Sequence, residues 1–151
     1  MEKISEEFLD AWLKISVILR NKRYMINLSF NEGIICHLLY KESLTGSEKG
    51  VALKDICSKT HILKSQVNKL IKQLEGKNII RRNKSLKDKR LVLVSLSEYG
   101  EKVYKNEYAR IIKLVNELVK KIGEEKAKAA TDIFELIANN VEIFNGRETC
   151  Q

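Results

Sequence analysis

The chain has 151 residues, enough for one domain with its own core and no need of disulfide or metal staples. Apolar residues make up 44 % and charged residues 32 %, which excludes disordered and fibrous classes. The absence of proline and the abundance of Lys, Glu, Leu and Ile favour helices. Twenty-eight Lys and Arg against twenty Asp and Glu give a formal +8, which asks for a polyanionic partner.

The first helix is predicted over residues 5–22. Phe8, Leu9, Trp12, Ile15, Val17, Ile18 and Leu19 recur there at helical spacing, with Ser5 as cap and Glu6 and Glu7 in the first turn. The stripe is broad for one short helix and calls for more than one packing neighbour. A second helix is predicted from Phe30 to Lys41, started by the Ser29–Glu32 capping box and facing inward with Ile34, Ile35, Leu38 and Leu39. SLTGSEKG (43–50) reads as a loop.

A short third helix follows from Leu53 to Lys59, with Leu53, Ile56 and Cys57 inward. A fourth runs from Leu63 to Glu75, with Val67, Leu70, Ile71 and Leu74 as its apolar stripe. The outer face of the fourth helix shows Lys64, Ser65, Gln66, Asn68, Lys69 and Lys72. Lysines there suit phosphates, and short hydrogen-bonding side chains suit base edges in a major groove; a merely solvated face would more often alternate Glu and Lys. Two strands are predicted next, Ile79–Arg82 and Leu91–Leu96, joined by the basic loop NKSLKDKR (83–90). From Ser97, a plausible N-cap, one long helix runs to Gly123, which would end it in a left-handed conformation. A last helix carries Ala130, Ile133, Phe134, Ile137, Val141 and Phe144, and the tail NGRETCQ is expected to fray.

The excess charge is concentrated. Between Lys59 and Arg90 stand eleven basic residues and only two acids, Glu75 and Asp88, a net +9 in 32 residues, while the remainder has 17 basic and 18 acidic residues. That is the footprint of phosphate-backbone binding. The element order predicts a mainly α fold with a small β-wing: a winged helix-turn-helix with N- and C-terminal dimerisation helices. The fourth helix would enter the major groove of double-stranded DNA, and the wing would follow the backbone or the minor groove.

Asp88-Lys-Arg90-Leu-Val-Leu-Val94-Ser-Leu96-Ser97-Glu-Tyr-Gly100 resembles the wing signature of the MarR family of transcriptional regulators, D-x-R-x-x-x-V-x-L-S/T-x-x-G, at every defined position. LKSQVNKLIKQLEGKNIIRR (63–82) resembles that family's recognition helix with its turn into the wing, and LSFNEGIICHLL (28–39) its second helix. Within the family, LKDI (53–56) and KSQV (64–67) resemble the staphylococcal accessory-regulator branch. Two departures stand out. Asn78 occupies a turn position where the family usually has Gly, and Ala52 and Leu63 stand where helix-capping Ser, Thr or Asp is common.

The resemblance implies one MarR-like domain over residues 1–151, a DNA-binding lobe over 30–97 and dimerisation helices over 1–22 and 98–147. It implies a homodimer acting on a palindromic operator, usually as a repressor relieved by a small-molecule effector whose chemistry no residue identifies. Arg90 becomes the minor-groove arginine, Asp88 the carboxylate that aims its guanidinium, and Lys84, Lys87 and Lys89 the phosphate contacts. Arg81 and Arg82 would brace the hairpin or meet phosphate. The alternative is a winged-helix module for protein contacts without specific DNA readout. An RNA-binding role is disfavoured because the basic segment has no aromatic besides His61.

No enzyme site is expected, since there is no nucleophile elbow, phosphate loop or HExxH motif. No cofactor or metal is expected either. Cys36 with His37 and Cys57 with His61 lack zinc-site spacing, so these residues read as core or surface positions. The peroxide-sensing relatives implied by the resemblance carry a reactive cysteine in the first helix, where this chain has none. Three widely spaced cysteines, the acidic N-terminus MEKISEEFLD and the lack of a long apolar run make the expected location cytoplasmic, with no membrane partner.

Overall fold

The computed structural model describes residues 1–46 and 49–141. Helix α1 (Glu2–Asn21) is followed by α2 (Phe30–Thr45), a two-residue strand β1 (Val51–Ala52), α3 (Leu53–Thr60) and α4 (Lys64–Gly76). Strands β2 (Ile80–Lys84) and β3 (Val92–Leu96) come next, then α5 (Glu98–Ile122) and α6 (Glu124–Asn140). The three strands form an antiparallel sheet in the order β1-β3-β2, with Val51 opposite Val94 on one side and Arg82 opposite Val94 on the other. This is the mainly α, winged helix-turn-helix architecture expected.

Short-range chemistry starts and ends these elements. The Ser29 hydroxyl accepts from the Glu32 amide while the Glu32 carboxylate accepts from the Ser29 amide at 2.8 Å, a complete capping box. Ser97 caps α5 by accepting from the Gly100 amide at 2.9 Å, and its hydroxyl donates to the Asn78 carbonyl. One side chain thus ties the start of α5 to the turn after α4. In that turn Asn78 sits at φ +59°, the left-handed conformation for which Asn is the best substitute for Gly. Gly100 has a different reason to be glycine: a Cβ there would lie 1.8 Å from the Ile79 carbonyl oxygen, so the β2 entry can pass α5 only over a bare backbone.

Several expected boundaries shift. Helix α1 begins at Glu2, and Ser5 is inside it with its hydroxyl donating back to the Met1 carbonyl, so Ser5 is not the cap. Helix α2 continues through Ser43, Leu44 and Thr45, because their amides extend the ladder before Gly46; the loop is shorter than 43–50. Strand β1 was not expected: two residues become a strand only because β3 lies beside them. The first strand is shifted to Ile80–Lys84 and the second starts one residue late, at Val92, while ending at Leu96 as predicted, so the wing tip spans 85–91. Ala52 and Leu63 precede α3 and α4 without side-chain caps, yet both helices start there. Gly123 ends α5 at φ +91° and ψ 147°, a positive φ that glycine takes readily but outside the left-handed helical region predicted. Phe144, Cys150 and the tail NGRETCQ lie outside the described residues.

The core is confined to the middle of the chain. Ile35, Cys36, Ile56, Val67, Ile71, Leu74 and Val94 are fully buried where α2, α3, α4 and the sheet meet, and Val103 and Tyr104 close it from α5. No residue of α1 or α6 is buried. Phe8, Leu9, Leu13, Leu118, Phe134 and Leu136 are open to solvent, so the described residues do not supply the packing neighbours that the α1 stripe calls for.

Candidate nucleic-acid interface

The apolar stripe of α4 decides which side chains are presented. Val67, Ile71 and Leu74 are buried, and Leu70 is partly buried against the same core. The helix period then turns Lys64, Ser65, Gln66, Asn68, Lys69 and Lys72 outward, and all six are exposed. None of their side chains is engaged by another described residue, so the face predicted for base and phosphate contacts is free of internal partners. The turn that sets α4 against α3 is made by His61, which takes the left-handed conformation at φ +58° and donates its amide to the Cys57 carbonyl. This gives His61 a local structural task at an exposed position. His is, with Asn and Asp, among the non-glycine residues enriched in that conformation, but its position between two helices was the only sequence signal for this role.

The wing tip is a closed, hydrogen-bonded turn. Ser85 is buried, and its hydroxyl accepts from the amides of Lys87 at 3.2 Å and Asp88 at 3.1 Å. The Ser85 amide donates to the Leu91 carbonyl, and the Leu91 amide to the Asp88 carbonyl, each at 3.0 Å. Around this turn Lys84, Lys87, Lys89 and Arg90 are all exposed. Asp88 does not pair with the Arg90 guanidinium as expected. Its Oδ1 accepts from the Arg90 backbone amide at 3.0 Å, so Asp88 shapes the chain at Arg90, and no described residue pairs with the guanidinium.

The basic segment is also less uniformly available than its sequence suggests. Lys77 is spent on Glu32, whose buried carboxylate it meets at 2.8 Å. Lys59 pairs with Glu42 at 2.5 Å, and Arg82 with Glu75 at 3.2 Å, bracing the hairpin on α4. Three of the eleven cations therefore hold the lobe together, and Arg81 remains exposed beside Arg82. The pairing selects the outer α4 face and the wing as the cationic surface.

Two features escaped the sequence reading. Glu107 on α5 is only 2 % exposed, and its carboxylate accepts from the Ile26 and Asn27 amides (3.1 and 2.7 Å), from Asn27 Nδ2 (3.1 Å) and from Arg110 (3.4 Å). It fastens the connection between α1 and α2 to α5. The available signal was a lone acid on an apolar face, three residues after Tyr104 and four before Ile111. The second feature is an aromatic group: His37 Nδ1 lies 2.6 Å from the Tyr104 hydroxyl, and the His37 ring stacks on Tyr108 at 6.1 Å. Burial, with the nearby Lys41, lowers the His37 pKa below its ordinary value, and burial raises the Tyr104 pKa to about 12.

These groups line a mostly apolar cavity of about 300 Å³ between α2, α5 and the α1–α2 connection, together with Met25, Leu28 and Ile34. Cys36, fully buried nearby, has its thiol pushed up to about 12 by burial, with Glu32 adding to the shift. It is therefore a core thiol and not a thiolate nucleophile. Among the described residues no group of three or more His, Cys, Asp or Glu is placed to hold a metal ion, and no helix is long and apolar enough to cross a membrane.

Comparison with known proteins places this geometry. The chain resembles in fold a MarR family regulator from Streptomyces coelicolor in complex with DNA, with a TM-score of 0.76 and 13 % identity over 90 % of this chain and 86 % of that one. It similarly resembles the repressor CouR of Rhodococcus jostii bound to a 23-mer DNA duplex, with a TM-score of 0.73 and 18 % identity over 88 % and 94 %. The PcaV regulator of Streptomyces coelicolor with its natural ligand gives 0.69 and 14 % over 87 % and 89 %. No curated protein matches the chain by sequence. The family model described as transcriptional regulator SarA/Rot matches residues 18–107, from the end of α1 through the whole lobe to Glu107. The chain therefore belongs to the SarA/Rot family of winged-helix, MarR-like transcriptional regulators, which are DNA-binding proteins and not enzymes.

Proposed function

We propose that the chain acts in the cytoplasm as a homodimeric, ligand-responsive repressor on a palindromic operator. The observation that carries this reading is the outer face of α4: six exposed polar or cationic side chains, unengaged by any described residue, beside a wing whose cations are exposed. In this reading Ser65, Gln66, Asn68 and Lys69 meet base edges or phosphates in the major groove. Lys64, Lys72, Lys84, Lys87 and Lys89 hold phosphates, and Arg90, shaped by Asp88, enters the minor groove.

The domain division follows the same logic. Residues 30–97 form the reading lobe, and 1–22 with 98–147 form dimerisation arms whose apolar seams are completed by a second copy. Two-fold symmetry then sets two half-sites about one helical turn apart. Support for an effector comes from the cavity between lobe and arms, and from the fold-level likeness to PcaV and CouR, solved with its natural ligand and with p-coumaroyl-CoA respectively.

Operator selection from random double-stranded DNA tests the proposal. The expected result is an inverted repeat bound about 10³-fold or more above non-specific DNA. A library without enrichment, or enrichment of a single unrepeated site by a monomer, overturns it.

A further inference from the structure

We propose that Leu86 is a DNA-contacting wedge: from the tip of the wing it enters the minor groove and packs on sugar and base edges while the neighbouring cations hold the phosphates. The inference rests on the placement of the wing on DNA proposed above, and it adds a residue that reads groove shape through apolar contact.

Leu86 is 94 % exposed, among the most exposed of the large apolar side chains. It is also the first residue after a buried one. Ser85 turns inward and takes the amides of Lys87 and Asp88 on its hydroxyl, so the backbone around Leu86 is tied on both sides and its side chain is driven outward. The closure from the Ser85 amide to the Leu91 carbonyl fixes the base of the tip. A leucine on a floppy loop would fold back on the protein or lose its contact to entropy; a leucine on a pinned turn keeps its full area for a partner.

The surroundings name that partner's chemistry. Lys84, Lys89 and Arg90 flank the tip and form no ion pair with a described residue, and Asp88, the one acid in the turn, is bound to the Arg90 backbone amide, so the occupant carries negative charge at its rim and apolar surface at its centre. The minor groove of DNA has that composition, with phosphates at both edges and sugar C–H groups along its walls. Apolar side chains inserted there partly unstack a base step and bend the duplex, and pyrimidine–purine steps yield most easily.

The test uses the full-length chain and an operator recovered by selection. Leu86→Ala, Leu86→Met, Lys84→Ala and Arg90→Ala are compared by fluorescence anisotropy at several salt concentrations, and DNA bending is read by energy transfer between the duplex ends. Leu86 is outside the core, so its substitution leaves the fold intact. Leu86→Ala is expected to weaken operator binding by about tenfold and to reduce the bend, with the slope of log K against log salt unchanged because no phosphate contact is lost. Leu86→Met is expected to retain both affinity and bend.

If Leu86→Ala binds and bends DNA like the wild type while Arg90→Ala weakens binding, the wedge alone is overturned. If Lys84→Ala and Arg90→Ala also bind as wild type, the wing lies off the DNA and both readings fall. A Leu86→Ala chain normal on DNA but impaired in transcription with purified components would assign the residue to a protein contact and also overturn the proposal.

Discussion

The lobe from Phe30 to Leu96 and the arms on either side of it are built on opposite plans. In the lobe a continuous apolar core is buried, and the outer face of α4 and the wing are mainly cationic or hydrogen-bonding, with Leu86 the most exposed apolar side chain. In the arms the reverse holds: neither α1 nor α6 buries a single residue, and Leu118 and Phe134 stand open beside lysines and glutamates. The difference teaches what each region lacks. Apolar area out of water is worth roughly 25 cal/mol per Å², so exposed seams of leucine, tryptophan and phenylalanine are finished by another apolar surface. Exposed cations with no internal acid are finished by a polyanion. Glu107 is the rivet between the two plans, since it binds the chain leaving α1 to the helix that leaves the lobe.

The largest expected effect breaks the arms. A charge placed in the seam, Leu118→Glu together with Leu9→Glu, should raise the dimer dissociation constant by more than 10²-fold. Each buried unpaired carboxylate costs several kcal/mol, at about 1.4 kcal/mol per tenfold. Sedimentation velocity reads this directly, and a variant that stays dimeric at low micromolar concentration would show that the seam lies elsewhere.

Next comes the rivet. Glu107→Ala should destabilise the protomer by about 2–4 kcal/mol in urea unfolding, because the Ile26 and Asn27 amides lose their acceptor in a buried place. Glu107→Gln keeps one acceptor oxygen and should cost less. Equal, negligible losses for both would mean that the α1–α2 connection does not need this anchor.

Within the lobe, Arg90→Ala should weaken operator binding by about 1–3 kcal/mol at fixed salt. Unchanged affinity would remove it from the interface. A smaller and sharper contrast separates free from internally paired cations. Lys84→Ala should lower the salt slope by about 0.9. Lys77→Ala should leave the slope alone and reduce stability instead, because Lys77 already answers Glu32. The opposite assignment of slope and stability would mean that the pairing opens on DNA.

The smallest effect is the pH dependence of the junction. His37 has a lowered pKa in the fold, so the unfolded chain takes up its proton first as pH falls. Its contribution is complete above the ordinary value of about 6.5 and is lost below it, down to the folded pKa. Thermal unfolding between pH 7.5 and 5 should therefore decline slightly less steeply in His37→Phe than in the wild type.

Much of the design was readable along the chain, and the readable parts are all local. Ser29 with Glu32, Ser97 with Gly100, and the inward stripes of α2 and α4 depend on residues within one or two helical turns, so their spacing alone specifies them. The same is true of the outward face of α4, which is the complement of its stripe, and of the left-handed Asn78. Ser5 was misread because any serine near a helix start satisfies the same rule, and only the amides of the preceding residues decide where the ladder begins.

What stayed hidden joins residues far apart in the sequence. Strand β1 exists only because Val51 finds Val94. Glu107 reaches back 81 residues to Ile26, His37 meets Tyr104 across 67, and Lys77 is neutralised by Glu32 across 45. Composition could therefore say that one segment is basic and that the terminal helices are apolar. Only the packing of α2, α4, α5 and the sheet could decide which cations are already answered inside the protein and which are left exposed on its surface. Hydrogen bonds and charge pairs are made by proximity in space, and proximity across such separations is set by how the apolar stripes meet.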